Sequence, residues 1–295
     1  MLINKANLTG LYHGFNTSFN KGMEMADSHY REIAMVVPSN TTETNYGWLG
    51  QFPKLREWIG DRIIRGLVAH SYTIKNKVFE ETISVPRTDV EDDQFGLFGP
   101  LMTELGRVAG SHPDELVFSL LAAGFQTSSY DGQFFFDTDH PVAGQSVSNM
   151  QAGAGSPWFL LDTSRSMKPM LFQERMPYAF QSLTAEHDEN VFMRDEFLYG
   201  VRARVNAGFG LWQLAYGSKA TLDATNYAAA RSAMMGLKGD EGRPLGIKPD
   251  TLVVGPSLES AALQLIANEL IINSGVAVSN EWAGTSKLIV SPWLD

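Results

Sequence analysis

A chain of 295 residues, 44% hydrophobic and 19% charged, is long enough to bury a sizeable core in one large domain or two joined lobes, and it is too apolar to be disordered throughout. A formal net charge of −10 argues against a general DNA-binding protein, because binding phosphates needs lysine and arginine clustered on one face. With no cysteine and no apolar run long enough to cross a membrane, the sequence excludes disulfides and thiolate chemistry and predicts no membrane partner.

Residues 1–45 begin with MLINKANLTG, which lacks the apolar segment of a secretory signal. Helical spacing then brings together the apolar residues Leu8, Leu11, Tyr12, Phe15 and Phe19, with Asn7 or Thr9 as candidate caps. Interspersed glycines weaken this helix by ~1 kcal/mol each, and a polar stretch follows it. Two hypotheses stay open: an arm that gains order on another subunit, or a helix packed on the core of its own chain.

Residues 46–66 combine large aromatic side chains with charged ones in YGWLGQFPKLREWIGDRIIRG. Tryptophan beside arginine is typical of protein–protein contacts. The candidate inter-subunit contacts in this segment are Trp48, Arg56, Glu57, Trp58, Asp61 and Arg62. A plain amphipathic helix has the same pattern, so the segment alone does not distinguish the two.

Residues 67–90 alternate polar and apolar side chains on both sides of Asn76, which predicts a long β-hairpin with its turn at that residue. Because two strands alone are marginal in water, the hairpin must lie against its own domain or against a neighbouring subunit. Tyr72, Lys75, Lys77 and Phe79 are further candidate inter-subunit contacts.

Residues 94–124 carry the strongest helical periodicity, which predicts one long helix, or two nearly in line, with Pro113 as the interruption. Thirty helical residues would span ~45 Å. The loop-rich residues 125–156 that follow are the candidate boundary between two lobes.

The remainder of the chain alternates strand and helix patterns. Strands are predicted at 158–161, 169–173, 198–205, 252–254 and 287–290. Helices are predicted at 226–238, capped by Thr225, and at 258–273, capped by Ser257. The fold class predicted by this order of elements is α+β.

The one cluster with possible chemistry is Asp137, Asp139 and His140 in FFFDTDHP. It fits a metal-assisted hydrolase, in which the carboxylates bind a divalent ion or orient the histidine as a base. We prefer a turn, because aspartate bonds its own backbone and Pro141 restricts the residue before it. With no second cluster and no nucleotide-binding motif, we expect no catalytic residue, no metal and no cofactor.

Five blocks carry a resemblance that runs through almost the whole chain. They are YGWLGQFPKLREWIGDR (46–62), VEDDQFG (90–96), YDGQFFFDTDHP (130–141), PWFLLDTSRSMKPMLFQ (157–173) and YGVRARVNAGFGLWQLA (199–215). Together they resemble the Mu-like major head subunit (gpT) family of phages and prophages. The resemblance implies a non-enzymatic major capsid protein of a tailed phage, with the Hong Kong 97-type fold.

The resemblance also implies four parts: an N-terminal arm (1–45), an extended E-loop and its base (46–90), a peripheral domain with a spine helix (91–220, spine 94–124), and a mainly axial domain (221–295). Such a subunit would assemble into hexamers and pentamers of an icosahedral head around double-stranded DNA, touching the DNA without sequence preference. Its partners would be a scaffolding protein, a maturation protease, a portal and, as an optional partner, a decoration protein. It would reside in the virion, and in the host cytoplasm during assembly.

Two alternatives remain beside this interpretation, the hydrolase described above and another phage structural component such as a tail or decoration protein. Lys75, Asn76 and Lys77 lie at the predicted hairpin tip, where the founding phage of this fold cross-links its subunits through Lys and Asn. We expect no such isopeptide bond here.

Overall fold

The computed structural model of the chain describes residues 2–49, 72–92, 97–239, 242–273 and 276–295. The helices in these ranges are α1 (Lys5–Met25), α2 (Tyr30–Ile33), α3 (Arg87–Glu91), α4 (Gly99–Ala122), α5 (Glu189–Arg194), α6 (Ala224–Met235) and α7 (Glu259–Ile266). The strands are β1 (Ala34–Pro38), β2 (Glu43–Asn45), β3 (Thr73–Lys75), β4 (Lys77–Pro86), β5 (His140–Val142), β6 (Gln145–Val147), β7 (Met150–Gln151), β8 (Trp158–Leu161), β9 (Met170–Leu183), β10 (Glu196–Phe209), β11 (Ala215–Ser218), β12 (Thr251–Val254), β13 (Leu270–Asn273), β14 (Val276–Ser279) and β15 (Lys287–Val290). The predicted α+β class is confirmed.

A four-stranded sheet in the order β1-β9-β10-β4 forms the first lobe. Strand β1 runs parallel to β9, while β10 pairs antiparallel with both β9 and β4. Side chains of β10 alternate between core and solvent, as Tyr199 and Val201 are buried and Arg202 is exposed. This alternation is what the sequence predicted for 198–205, although the strand extends further at both ends.

Helices α1 and α4 cover the buried face of this sheet. Leu11, Phe15 and Phe19 of α1 are buried against it, and the Phe15 and Tyr199 rings meet edge to face at 4.9 Å between centroids. The N-cap is Asn4, whose side chain accepts a hydrogen bond from the backbone N–H of Asn7, so the predicted caps at Asn7 and Thr9 are wrong. The helix packs on its own chain, which is the second of the two hypotheses.

Helix α4 is one continuous helix through Pro113, which is the first of the two predicted alternatives; residues 94–96 of the predicted span lie outside the described residues. Its first half contributes Met102, Leu105 and Ala109 to a smaller core with α1 and the four-stranded sheet. Its second half contributes buried residues of a larger core, Val117, Phe118 and Leu121. The helix therefore connects the two cores as a beam.

A five-stranded sheet in the order β15-β12-β8-β11-β7 lies in the larger core. Strands β8, β11 and β12 are buried along their whole length. Their sequences WFLL, AYGS and TLVV contain no charged residue, as is typical of strands covered on both faces. Its strands come from both sides of residue 220, so a boundary at that position does not separate two sheets. Helices α6 and α7 contact its strands.

The long hairpin predicted at 67–90 is not formed; residues 67–71 lie outside the described residues. Strand β3 pairs with β2, and β4 pairs with β10 over its full length. Between them Asn76 is buried rather than at a turn. Its Nδ2 donates to the carbonyl oxygens of Thr41 and Thr42, and its Oδ1 accepts from Gln173. These bonds hold the chain extended where it passes from one sheet to the other.

Two helix predictions in the last third also need correction. Helix α6 begins earlier than predicted, and Asp223, not Thr225, caps it by accepting from the Asn226 N–H at 2.8 Å. Helix α7 ends at Ile266, because Asn280 donates to the carbonyl oxygens of Leu265 and Asn268 and the chain continues into the hairpin β13–β14.

The predicted cap Ser257 is also wrong, since its hydroxyl donates to the side chain of Asp295.

Candidate functional site

The segment FFFDTDHP, where the sequence suggested catalysis, begins as a turn. The Asp137 carboxylate accepts hydrogen bonds from the backbone N–H groups of Thr138, at 2.7 Å, and Phe134, at 3.2 Å. The Asp137 N–H in turn donates to Oδ1 of Asn149 at 2.9 Å. Aspartate bonded to its own neighbouring backbone is the turn interpretation of this motif.

The two carboxyls of this turn have opposite pKa shifts. Burial raises the pKa of Asp137, but the hydrogen bonds with Thr138, Phe134 and Asp139, together with the electrostatic interaction with His140, outweigh it, and the net pKa is lowered. A hydrogen bond with the Asp137 carboxyl raises the pKa of the exposed Asp139. Both shifts follow from local hydrogen bonds in the turn.

His140 has no exposed surface and both of its ring nitrogens are occupied. Nδ1 lies 2.6 Å from Oδ2 of Asp131, Nε2 lies 3.1 Å from Oδ1 of Asn149, and the ring stacks on Trp212 at 3.9 Å. Neither nitrogen is free to bind a metal or to accept a substrate proton. Among the described residues no group of three His, Asp or Glu is placed to hold a metal ion. The geometry contradicts the hydrolase hypothesis.

The predicted contact residues fall into three groups. Five of them lie outside the described residues: Arg56, Glu57, Trp58, Asp61 and Arg62. Trp48 and Tyr72 are half-buried beside the larger core, where Trp48 meets Tyr46 edge to face at 6.2 Å and the Tyr72 hydroxyl accepts from the Phe209 N–H at 2.8 Å. Burial raises the pKa of Tyr72. These two side chains contribute to the subunit's own packing.

Phe79, Lys75 and Lys77 lie near the start of β4. The Phe79 ring packs on the His112 ring of α4 with centroids 4.3 Å apart, and His112 Nδ1 bonds the Tyr178 hydroxyl at 2.5 Å. Burial lowers the pKa of His112. Phe79 thus joins the edge strand to the long helix, whereas both lysines are exposed and available to another molecule.

An apolar patch at the far end of the four-stranded sheet escaped the sequence analysis. Phe192 and Met193 of α5 are 81% and 70% exposed, and Leu183 at the end of β9 is 48% exposed. Because β9 and β10 form a long antiparallel hairpin with α5 in its connection, we call these three residues the hairpin-end patch. Within NVFM only Val191 and Asn190 are buried. The available signal was a pair of large apolar residues in a short segment crowded with charges, HDENVFMRDE.

Comparison with known proteins shows the family of the chain. Residues 8–294 match the profile of the Mu-like prophage major head subunit gpT. The chain belongs to this family. The Mu-like prophage FluMu major head subunit of Haemophilus influenzae is 46% identical, with 96% of each chain covered, and the major capsid protein of Escherichia phage Mu is 42% identical over the full length of both. A chain of the bacteriophage JBD30 procapsid superposes with a TM-score of 0.86 at 48% identity, covering 99% of this chain and 100% of that one.

As a Mu-like head subunit, the protein is a major capsid protein of a tailed phage, located in the virion head. Its α+β structure has the Hong Kong 97-type capsid fold, as the resemblance implied. The family is structural, so the protein is not an enzyme, and the tail or decoration alternative is not favoured. Among the described helices, none combines the length and apolarity needed to span a membrane.

Proposed function

We propose that the chain binds copies of itself to form the hexamers and pentamers of an icosahedral head that encloses double-stranded DNA. The observation that carries this proposal is the full-length likeness to a chain of an assembled procapsid. The subunit's own surface supports it, because neighbouring large apolar side chains that are both exposed, such as Phe192 and Met193, are typical of an interaction site.

The four parts implied by the resemblance become proposals about this chain. Residues 1–45 would be the N-terminal arm, 46–90 the E-loop and its base, 91–220 the peripheral domain with its spine, and 221–295 mainly the axial domain. Continuity of α4 between the two cores supports its assignment as the spine. The arm in this proposal is a helix held by its own chain, not a free tether.

The hairpin-end patch is proposed as one inter-subunit contact, alongside the exposed Lys75 and Lys77. Fully burying a side chain of this size contributes ~1.5–3 kcal/mol, and many such contacts around a ring add together. The charged residues that flank the patch, Glu186, Asp188 and Glu189 among them, would fix its orientation more than its strength.

Other partners of the assembling head follow from the same proposal. They are a scaffolding protein, a maturation protease, a portal and a possible decoration protein. With a net charge of −10, contact with the packaged DNA would be sparse and independent of base sequence.

The experiment that tests assembly compares the wild-type chain with the double variant Phe192→Ser/Met193→Ser. We expect wild-type protein, with a scaffolding protein supplied, to form rings or closed shells in negative stain. The double variant should need at least about tenfold more protein to assemble, because ~1.4 kcal/mol of lost contact is one tenfold step. Gln181→Ser, an exposed polar change nearby on β9, is the matched control.

Both variants should melt at the same temperature as the wild type if the patch serves only contacts between subunits. A wild-type chain that remains monomeric at every concentration with the scaffold present would contradict the shell proposal. Unchanged assembly of the double variant would contradict the contact assigned to the patch.

A further inference from the structure

The side chain of His140 is enclosed by a turn, a strand end and an indole. Asp131 lies in the turn before β5, Asn149 directly precedes β7, and Trp212 lies in the short 3-10 turn between β10 and β11. These contacts bring residues from three separate places in the chain onto one imidazole. Tyr130, next to Asp131, adds a further tie by donating to Gln213 at 3.0 Å.

The orientation of the Asn149 amide is fixed by its other neighbours. Its Nδ2 faces three carbonyl oxygens, those of Phe135 at 2.8 Å, Ala215 at 3.3 Å and Trp212 at 3.4 Å. Its Oδ1 accepts the Asp137 N–H. A flipped amide would set oxygen against three oxygens and NH2 against an N–H, so the atom facing His140 is an acceptor.

Proton counting at His140 follows from that orientation. Nε2 must carry a hydrogen, because Asn149 Oδ1 can only accept. A second hydrogen lies between Nδ1 and the Asp131 carboxylate, at a separation of 2.6 Å that is typical of a charge-assisted bond. The buried unit of His140 and Asp131 therefore holds two protons, one more than a neutral histidine facing an ionised aspartate.

The surroundings favour placing the positive charge on the ring. The indole of Trp212 lies face to face with it, at an interplanar angle of 10°, and an indole face attracts cations. Asp137 and Asp139 interact electrostatically with His140 and add negative charge. The other segments packed here, 145–147, 150–151 and 212–214, contain no ionisable residue in their sequences.

We propose that Asp131, His140 and Asn149 form a proton-dependent latch, in which a buried imidazolium holds the turn at Asp131 and the residue before β7 together against the Trp212 ring of the larger core. Loss of the Nδ1 proton leaves the Asp131 carboxylate facing a nitrogen lone pair, and loss of the Nε2 proton leaves a lone pair facing Oδ1 of Asn149. A buried polar contact broken in this way is costly. The latch therefore weakens when it loses that proton.

The sign of this dependence follows from proton linkage. An unfolded histidine has a pKa of ~6.5, so where the folded latch holds both protons above that pH, the unfolded chain has a neutral ring. Folding then takes up one proton, and stability falls with rising pH by about tenfold in the unfolding equilibrium constant per unit. This fall continues until the folded latch itself loses its proton.

Two measurements on the full chain test the latch. The first is 15N NMR of histidine-labelled protein about one pH unit above the ordinary histidine pKa of ~6.5, in solution or on assembled particles. We expect both ring nitrogens of His140 to be protonated, with the signal assigned by its loss in His140→Gln or its shift in Asp131→Asn. One unprotonated ring nitrogen at His140 would overturn the proposal.

The second measurement is the pH dependence of urea unfolding between neutral and mildly alkaline pH. Relative to wild type, His140→Gln and Asp131→Asn should each lower stability and lose the proton-uptake slope. His187→Gln, at an exposed histidine, should keep it. A wild-type slope retained in Asp131→Asn would contradict the latch; if His140→Gln does not fold, Asp131→Asn and the wild-type NMR spectrum still decide.

Discussion

Gly106 of α4 lies against the backbone of Phe19 in α1, so closely that a Cβ at position 106 would overlap the Phe19 carbonyl oxygen. The same crossing places Gly22 of α1 against the backbone of Thr103, with no room for a side chain there either. Close approach of two helices through glycine explains why α1, despite its helix-weakening glycines, stays on its own chain.

Substituting Gly106 by alanine should force α1 away from α4. We expect the free energy of unfolding to fall by ~1–3 kcal/mol, as for other overpacked cores, in spite of the better helix propensity of alanine. Urea unfolding followed by circular dichroism measures it. The matched control is Gly14→Ala, because a Cβ there meets nothing within 4 Å, and that variant should be stabilised by ~0.5–1 kcal/mol. Equal effects of the two changes would refute the close crossing.

Asp114 ties the end of the arm to the middle of the long helix. Its buried carboxylate accepts from the Ser28 hydroxyl at 2.7 Å and from the backbone N–H groups of His29 and Tyr30, at 2.8 and 2.7 Å. Asp114→Asn replaces one acceptor oxygen by a donor, which should cost ~1.5–3 kcal/mol of unfolding free energy. The matched control is Glu115→Gln, at an exposed carboxylate of the same helix, which should change the unfolding free energy little. Indistinguishable denaturation midpoints for the two variants would contradict this assignment.

Glu32 links the segment after α1 to β15 of the other sheet. It contacts Lys287 at 2.5 Å and His29 at 2.9 Å. Burial raises the pKa of Glu32, but its bonds to Lys287 and His29 outweigh it, and the pKa lies below the ordinary value of ~4.3. A depressed pKa contributes stability above the unfolded value, and that contribution is lost as pH falls through the folded value.

Glu32→Gln should therefore be less stable than wild type at neutral pH, by ~0.2–1 kcal/mol as for other partly exposed pairs, and the difference should vanish under acid conditions. Thermal melts at neutral and acid pH measure it, with Glu24→Gln on the exposed face of α1 as the control. A difference that grows as pH falls would show that the sign is wrong.

Covalent cross-linking through Asn76 is not expected in mature particles. The Asn76 side chain is 7% exposed, and its Nδ2 also donates to the Ser39 hydroxyl at 3.1 Å. An amide held in this way is not accessible to a lysine of another subunit. Intact-mass spectrometry of denatured particles should show single subunits, whereas a ladder of joined subunits would contradict the expectation.

Local patterns in the sequence predicted the longer helices and the strands with clear apolar patterns, but not the short helices α2, α3 and α5 or the strands β1, β2, β5, β6, β7, β11, β13 and β14. The periodicity of Phe15 and Phe19 identified α1, and the fully apolar run at 158–161 identified β8. Capping was less predictable, because several Asn and Thr residues near a helix start offer the same hydrogen bond and only backbone geometry selects Asn4 or Asp223.

Pairing between distant segments was not predictable from one sequence. Asn76 has the chemistry of a turn, yet contacts with Thr41 and Gln173 hold it extended, and both partners are remote in the chain. The exposure of Phe192 is likewise a tertiary property, since an apolar pair in a short segment reads as core until the fold leaves it outside. For both the first helix and the segment after Asn76 the sequence left open whether the chain itself or a neighbour gives support, and in the structure α1 and β4 pack on their own chain.

A cryo-EM map of particles assembled from this chain shows which subunit each of these elements contacts. We expect closed shells in which α1 lies on α4 of the same subunit while Phe192 and Met193 are buried against a neighbour. Shells in which both side chains face solvent, or in which α1 crosses to another subunit, would contradict this expectation.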